Sequence, residues 1–255
     1  MKDPKKPEWF HDTDFWNEFA PVMFDEKRWE EVPAVADGIL RLSRLEEKRG
    51  RGGKVLDLCC GMGRVSNELA RRGIAVTGVD ITESYIEAAR EDAAAESLDA
   101  SYVHGDVRYF SRPGTFDAAL SLYVSFGYFD DPADDLLFIK NVLDSLKPGG
   151  VFIIELLGKE IVARDFIEGE AFERAGFVVV TEYKILGSWN QLQNTWTISN
   201  DSTRAQKVFT QRLYAATELE ALLRQAGFSR TESYGDWDGS PYNEYARMLI
   251  VAGWK

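Results

Sequence analysis

Three carboxylates stand where short apolar runs end. Asp57 lies in the run Lys54 to Leu58 and is followed by Cys59-Cys60-Gly61-Met62-Gly63, Asp80 closes Ala75 to Val79, and Asp106 comes just past Ser101 to His104. In an open parallel sheet, ligands sit beyond the carboxyl ends of the strands where strand order reverses, so acids at those ends are placed to meet one. Gly61 and Gly63 permit a tight turn and a close approach of backbone to ligand at a helix start. Such a loop can cradle a phosphate, but the pyrophosphate pattern G-x-G-x-x-G lacks its third small residue, since Ser66 stands there. Asp57 would also repel an anion and attract a sulfonium or an α-ammonium. Asp80 can accept both hydroxyls of a ribose, and Asp106 can accept from an adenine amino group. One strand-end Asp is more often a cap or turn residue. Three at consecutive strand ends, with a glycine loop after the first, are hard to obtain by packing alone.

The surrounding pattern predicts elements able to hold these groups. Buried strands over Lys54 to Leu58, Ala75 to Val79, Ser101 to His104, Phe116 to Tyr123 and Val151 to Leu157 alternate with amphipathic helices through Val65 and Leu69, over Glu83 to Glu96, and over Asp134 to Leu146. Five strands alternating with helices imply an α/β fold with a doubly wound parallel sheet. Upstream, Val35, Ile39 and Leu42 mark a helix running toward a Gly-rich stop at Arg49 to Gly53. Past Leu157, the segments Val178 to Leu186, Gln193 to Ser199 and Lys207 to Tyr214 are joined by turn residues, which predicts an antiparallel insertion over residues 160–215. Thr217 with Glu220 reads as a capping box opening a helix stopped by Gly227, and strands near Thr231 to Tyr234 and Met248 to Gly253 follow.

These motifs resemble the class I S-adenosylmethionine-dependent methyltransferases, in particular those acting on small-molecule N or O acceptors, amino sugars among them. VLDLCCGMGRVS is similar to their first motif, VTGVDIT to the second, VHGDVRYF to the third, FDAALSLYVSFGYF to the fourth and LKPGGVFIIELL to the segment after it. The resemblance covers about residues 54 to 157. It implies a seven-stranded, mostly parallel sheet of order 3-2-1-4-5-7-6, counted along the chain, with the last strand antiparallel and a small antiparallel insertion after strand 5. It implies S-adenosylmethionine as cofactor, with Asp57, Gly61 and Gly63 around the methionine part, Asp80 and Ile81 at the ribose, Asp106 and Val107 at the adenine, and Cys59 and Leu122 also binding the cofactor. The family usually has Gly where Cys59 stands.

The 255 residues are read as one domain, 45% hydrophobic and 28% charged. Thirty basic against 42 acidic residues leave a net charge of −12, which repels polyanions. The short basic clusters Lys5-Lys6, Lys48 to Arg51 and Arg71-Arg72 read as solvated surface. No nucleic-acid partner is therefore expected, and a tRNA or rRNA methyltransferase remains only an alternative, as does a nicotinamide-dependent oxidoreductase. The start MKDPKKPEWFHDTDFW lacks a signal peptide's apolar stretch and no run is long enough to span a bilayer, so a cytoplasmic protein without membrane contact is expected, as monomer or homodimer. Two adjacent cysteines supply too few thiolates for a metal site, and none is expected.

Residues 1–50, with Trp9, Phe10, Phe15, Trp16, Phe19, Met23, Phe24 and Trp29, are read as a helical segment that either closes over the cofactor as a lid or packs as core. The connection Tyr234 to Tyr242 is too rich in Trp, Tyr and Asp for a bare turn. Tyr242, with Tyr214 and Trp189 from the insertion, is expected to wall the acceptor pocket, and Asp236 or Asp238 to orient the acceptor. No strong acid–base pair is visible: His11, Tyr242 and Asp236 are the catalytic candidates, and His104 reads as structural.

Overall fold

A computed structural model describes residues 8–48 and 52–255. The basic pair Lys5-Lys6 and the run Arg49 to Arg51 lie outside the described residues. After a 3-10 turn at Trp9–His11 come α1 (Thr13–Met23), α2 (Glu26–Glu30) and α3 (Val32–Ser43). The central unit follows as β1 (Lys54–Leu58), α4 (Arg64–Arg71), β2 (Ala75–Asp80), α5 (Glu83–Ala95), β3 (Ala100–His104), β4 (Phe116–Ser121), α6 (Pro132–Ser145) and β5 (Leu146–Leu156). Then α7 (Lys159–Arg164) leads into β6 (Gly169–Arg174), β7 (Phe177–Leu186), β8 (Gln191–Ser199) and β9 (Arg204–Arg212). The chain returns through α8 (Ala216–Ala226) to β10 (Arg230–Tyr234) and β11 (Leu249–Trp254).

Strands β3-β2-β1-β4-β5-β11-β10 form one sheet, the order expected from the motifs, with β11 antiparallel to both neighbours. Its inner strands β2, β1, β4, β5 and β11 are largely buried on both faces, which is why they read as continuous apolar runs, whereas the edge strands β3 and β10 are partly exposed. Leu56 and Leu58 join a core with Phe138, Val142 and Leu219 of α6 and α8. Val55 faces the other way, into a core with Ile39 of α3 and Leu69 of α4. Sheet and helices thus leave the carboxyl edge of β1, β2, β4 and β5 free to carry a site.

Local corrections follow from geometry. The α3 helix ends at Arg44 in a left-handed conformation (φ 58°), short of the glycines expected to stop it. β5 begins at Leu146 and takes in Lys147-Pro148-Gly149-Gly150, because a register shift opposite Phe116 and Ala118 absorbs those turn residues into the ladder. The α8 helix starts before Thr217: Glu218 accepts from the Ala215 N–H at 2.8 Å and Glu160 from the Ala216 N–H at 3.1 Å, while Glu220 accepts from the Ser233 hydroxyl.

Residues 169–212 form a separate four-stranded antiparallel sheet of order β6-β7-β8-β9. The range read as all strand also contains α7, and β6 went unread because its residues are mostly exposed and carry no apolar alternation. One face of this sheet takes the N-terminal segment: Phe15, Phe19 and Val22 of α1 pack with Val179, Ile198 and Phe209. Ion pairs Glu8–Arg108 (2.7 Å), Asp12–Lys207 (2.5 Å) and Asp25–Arg174 (3.2 Å) tie the same segment across both sheets.

Candidate active site

A cavity of about 1,080 Å³ opens between the carboxyl edge of the large sheet, the inner face of the small one and α1. Cys59, Gly61, Asp80, Ile81, Asp106, Val107 and Leu122 line it. Asp80 is the pivot. Its buried carboxylate accepts from the Gly61 N–H at 2.8 Å and the Thr82 N–H at 2.9 Å, fixing the loop after β1 to the end of β2. Each oxygen retains a further lone pair for a ligand hydroxyl. Burial pushes this carboxyl above its ordinary range, partly offset by those two N–H donors. At Gly61 (φ 55°) a Cβ would stand 2.9 Å from the Phe24 ring, so the backbone is bare where a ligand must approach.

The loop residues divide on inspection. Asp57 does not line the cavity: it is buried behind the loop, accepts from the Ser66 hydroxyl at 2.6 Å, and is pushed up to about 7, chiefly by burial. Gly63 is also set back, as the N-cap of α4 at φ 74°, where a Cβ would lie 2.6 Å from the Tyr102 hydroxyl. Its role is packing. Cys59 adopts φ 60°, the conformation that the family's usual glycine supplies without strain, and Tyr123 and Val124 at the end of β4 sit at φ 52° and 63°. Backbone strain of this kind concentrates at binding sites. Burial, with Asp80 and Asp57 nearby, drives the Cys59 thiol well up, which disfavours a nucleophilic thiolate.

Asp106 lines the cavity, but Arg108 grips both of its carboxylate oxygens at 2.6–3.1 Å while also pairing with Glu8 and Asp134. The carboxylate expected at an adenine amino group is thus already engaged, leaving Ile81, Val107, Leu122 and Phe129 as an apolar slot beside it.

The acceptor wall differs from the sequence reading. Tyr214 donates to Asp135 at 2.8 Å, Tyr242 donates to Glu160 at 3.0 Å, and Trp189 stands exposed against Phe166; none of the three lines the cavity. Asp236 accepts from the Trp237 N–H and pairs with Arg247 beside a separate hollow of about 190 Å³, and Asp238 accepts from the Ser240 N–H. His11 is exposed against Phe10 and lines no part of the cavity. His104 approaches the Ile81 carbonyl at 3.0 Å. The loop between β10 and β11 does reach the site, through Arg247 and Met248, while its Trp237 is buried against Gly38 of α3.

Residues not anticipated complete the lining. Glu155, near the end of β5, is buried, accepts from the Tyr123 N–H at 2.9 Å, and is raised by burial against the pull of Arg28 and Arg64. Arg64 lies 3.7 Å above the Tyr123 ring and donates to the Arg28 carbonyl. Glu155 obeys the same rule as Asp80, an acid at the carboxyl end of a buried strand, and was legible on that ground. Thr181, Asn194, Trp196 and Gln211 come from the inner face of the small sheet. Among the described residues, no cluster of three or more His, Cys, Asp or Glu is placed to hold a metal.

Carboxylates at the ends of β2 and β5 with apolar walls suit a ligand carrying hydroxyls and positive charge, and oppose a pyrophosphate. Residues 55–150 match the family model of the methyltransferase domain, and the chain is built on the class I methyltransferase fold. The mitochondrial ubiquinone biosynthesis O-methyltransferase of Schizosaccharomyces pombe is 31% identical over 116 residues, 44% of this chain and 41% of that protein. The chain therefore spans about two fifths of that relative's length. The putative methyltransferase YqeM of Bacillus subtilis is 25% identical over 208 residues, 78% of this chain and 83% of the relative. The solved structure of S-adenosylmethionine-bound CalS10, an amino pentose methyltransferase from Micromonospora echinaspora, superposes over 100% of both chains with TM-score 0.67 at 20% identity.

Proposed function

We propose that this chain transfers a methyl group from S-adenosylmethionine to a nitrogen or oxygen of a small molecule. The observation that carries the reading is the Asp80 carboxylate, lodged in the cavity with two backbone N–H donors fixing it and lone pairs left for a ribose. Gly61 gives the methionine part access to bare backbone, and Ile81, Val107 and Leu122 offer the adenine an apolar slot. The cofactor, when bound, supplies a methyl on a sulfonium that is already a good leaving group. What the protein must add is positioning and exclusion of water. The buried aromatic roof of α1 and the small sheet supports both. A small acceptor fits the enclosed cavity and the net charge of −12, which opposes a nucleic-acid substrate. Support also comes from the relatives, whose names include a ubiquinone-biosynthesis O-methyltransferase and an amino pentose methyltransferase. None of the described helices is long and apolar enough to cross a membrane, and we place the chain's work in the cytoplasm as a monomer or homodimer.

Calorimetric titration should show S-adenosylmethionine and S-adenosylhomocysteine binding and NAD failing to bind. Tight NAD binding without either methyl-donor ligand would overturn the reading. The N-terminal segment, in this view, closes over bound cofactor: it packs by Phe15, Phe19 and Val22 but is tied to the main sheet through ion pairs such as Glu8–Arg108. Hydrogen exchange over residues 9–29 should slow when S-adenosylhomocysteine is added. Identical exchange with and without ligand would make this segment a fixed wall.

A further inference from the structure

Two opposite charges are buried in the cavity lining without pairing with each other. Arg64, the first residue of α4, is 6% exposed, and Glu155, near the end of β5, is 8% exposed. The Arg64 guanidinium lies on the Tyr123 ring and donates through Nη1 to the Arg28 carbonyl at 2.8 Å. Its Nε and Nη2 have no partner among the described residues and are not sealed from solvent. Glu155 accepts from the Tyr123 N–H through Oε2 at 2.9 Å, and its Oε1 is open in the same way. Tyr123 thus orients both charges, its ring under one and its N–H on the other. Burying charges without a partner is costly, so a ligand that answers both is the economical explanation.

Their signs restrict that ligand. A simple anion drawn to Arg64 would meet Glu155, and a simple cation drawn to Glu155 would meet Arg64. A group with an ammonium and a carboxylate on one carbon satisfies both. The position fits as well. Leu58 is the register partner of Val79 and of Ser121, and Ser121 of Ile154, so the next residues Asp80, Cys59, Leu122 and Glu155 form one row across four neighbouring strands. Three strand spacings of about 4.8 Å put the positions of Asp80 and Glu155 about 14 Å apart, or roughly 8 Å once a hydrogen bond of about 3 Å is allowed at each end. That suits the bonded path from a ribose hydroxyl through sulfur to the α-nitrogen of S-adenosylmethionine. Asp57, the acid read from the sequence as attracting that ammonium, is turned away behind the loop onto Ser66, which leaves the role open.

We propose that Arg64 and Glu155 are a charge clamp for an α-amino acid group, the carboxylate on Arg64 and the ammonium on Glu155, and that the clamp holds the amino-acid end of the methyl donor. The proposal rests on the methyl-transfer reading for the identity of its ligand. Neither residue is among those that the motif resemblance assigns to the cofactor. Both are specificity-determining residues: they select a nucleoside that keeps its amino-acid end, and they hold the demethylated product too, since it carries the same two charges.

The test is calorimetry on the full chain with S-adenosylhomocysteine and with 5′-methylthioadenosine, which has the same nucleoside and no amino-acid group. S-adenosylhomocysteine should bind about a hundredfold more tightly, and its decarboxylated analogue should fall between the two. Arg64→Gln and Glu155→Gln should each weaken S-adenosylhomocysteine about tenfold or more and leave 5′-methylthioadenosine at its wild-type affinity. A variant that merely misfolds loses both ligands, and the three wild-type affinities then decide alone. Equal affinity of the wild type for all three ligands, or folded variants that bind S-adenosylhomocysteine as the wild type does, would overturn the clamp and leave the methyl-transfer reading standing. Binding of free L-methionine to protein already saturated with S-adenosylhomocysteine would place the amino-acid site outside the cofactor and overturn it as well. If the wild type binds none of the three nucleosides, the methyl-transfer reading falls and the clamp with it.

Discussion

Asp80→Asn should weaken S-adenosylhomocysteine binding by about one to two orders of magnitude, because each charge-assisted hydrogen bond lost is worth roughly 1.5–3 kcal/mol and tenfold corresponds to about 1.4 kcal/mol. The substitution keeps the shape of the side chain. It replaces one accepting oxygen by an NH₂ group that faces either a ribose hydroxyl or one of the N–H donors of Gly61 and Thr82. A melting curve close to wild type would show that the loop still folds, and calorimetry then isolates the ligand term. Affinity should also fall with acid in the wild type. Burial raises the Asp80 carboxyl, so it takes up a proton at a higher pH than an exposed aspartate and loses its acceptor capacity earlier. Wild-type affinity in a folded Asp80→Asn protein would remove this residue from the site.

Arg212→Ala is expected to cost about 3–5 kcal/mol of stability at pH 8, the usual penalty for stranding one member of a buried ion pair. For a chain of this size that lowers the melting temperature by roughly 6–20 °C. The Arg212 Nε donates to Asp135 at 3.0 Å, the Tyr214 hydroxyl donates to the same oxygen at 2.8 Å, and Asp135 is fully buried on α6. Burial already pushes the Asp135 carboxyl up to about 6 despite these partners, and losing Arg212 pushes it higher. A carboxyl raised in the folded state above its unfolded value loses stability as pH rises between the two, and the loss is absent below the unfolded value. The variant should therefore melt nearer to wild type at pH 5 than at pH 8. Melting curves at the two values check this, and an equal deficit at both would mean the damage comes from lost packing rather than from the stranded charge.

The same network explains a sequence expectation that did not hold. Tyr214 is expected at the acceptor pocket because it comes from the insertion, yet its hydroxyl is spent on Asp135, 79 residues away in the chain. Tyr242 is spent on Glu160 in the same way. Such partners are chosen by which helices happen to cross beneath the loop, and no local pattern reports that. Asp57 shows the complementary case: its place in the first motif was plain, but whether its carboxylate faced the ligand or the α4 helix depended on the Ser66 hydroxyl, which the turn at Gly61 and Gly63 brings beneath it.

The sequence by itself determined the alternation of strands and helices and the position of the sheet's carboxyl edge, while the strand order came with the resemblance of its motifs to a known family. Strands buried on both faces must be apolar throughout, and the acids and glycines that end them cannot lie elsewhere in the layer. That logic placed Asp80 and Gly61 at this edge, and the resemblance of the first motif added Cys59. Only the tertiary structure decided which face of the small sheet looks inward. Its strands read as partial alternation, and a shift of one residue in register exchanges the two faces. The packing of Phe15 and Phe19 against Val179 and Phe209 selects one of them, and with it sends Thr181 and Trp196 into the cavity and Val178 and Val180 to solvent.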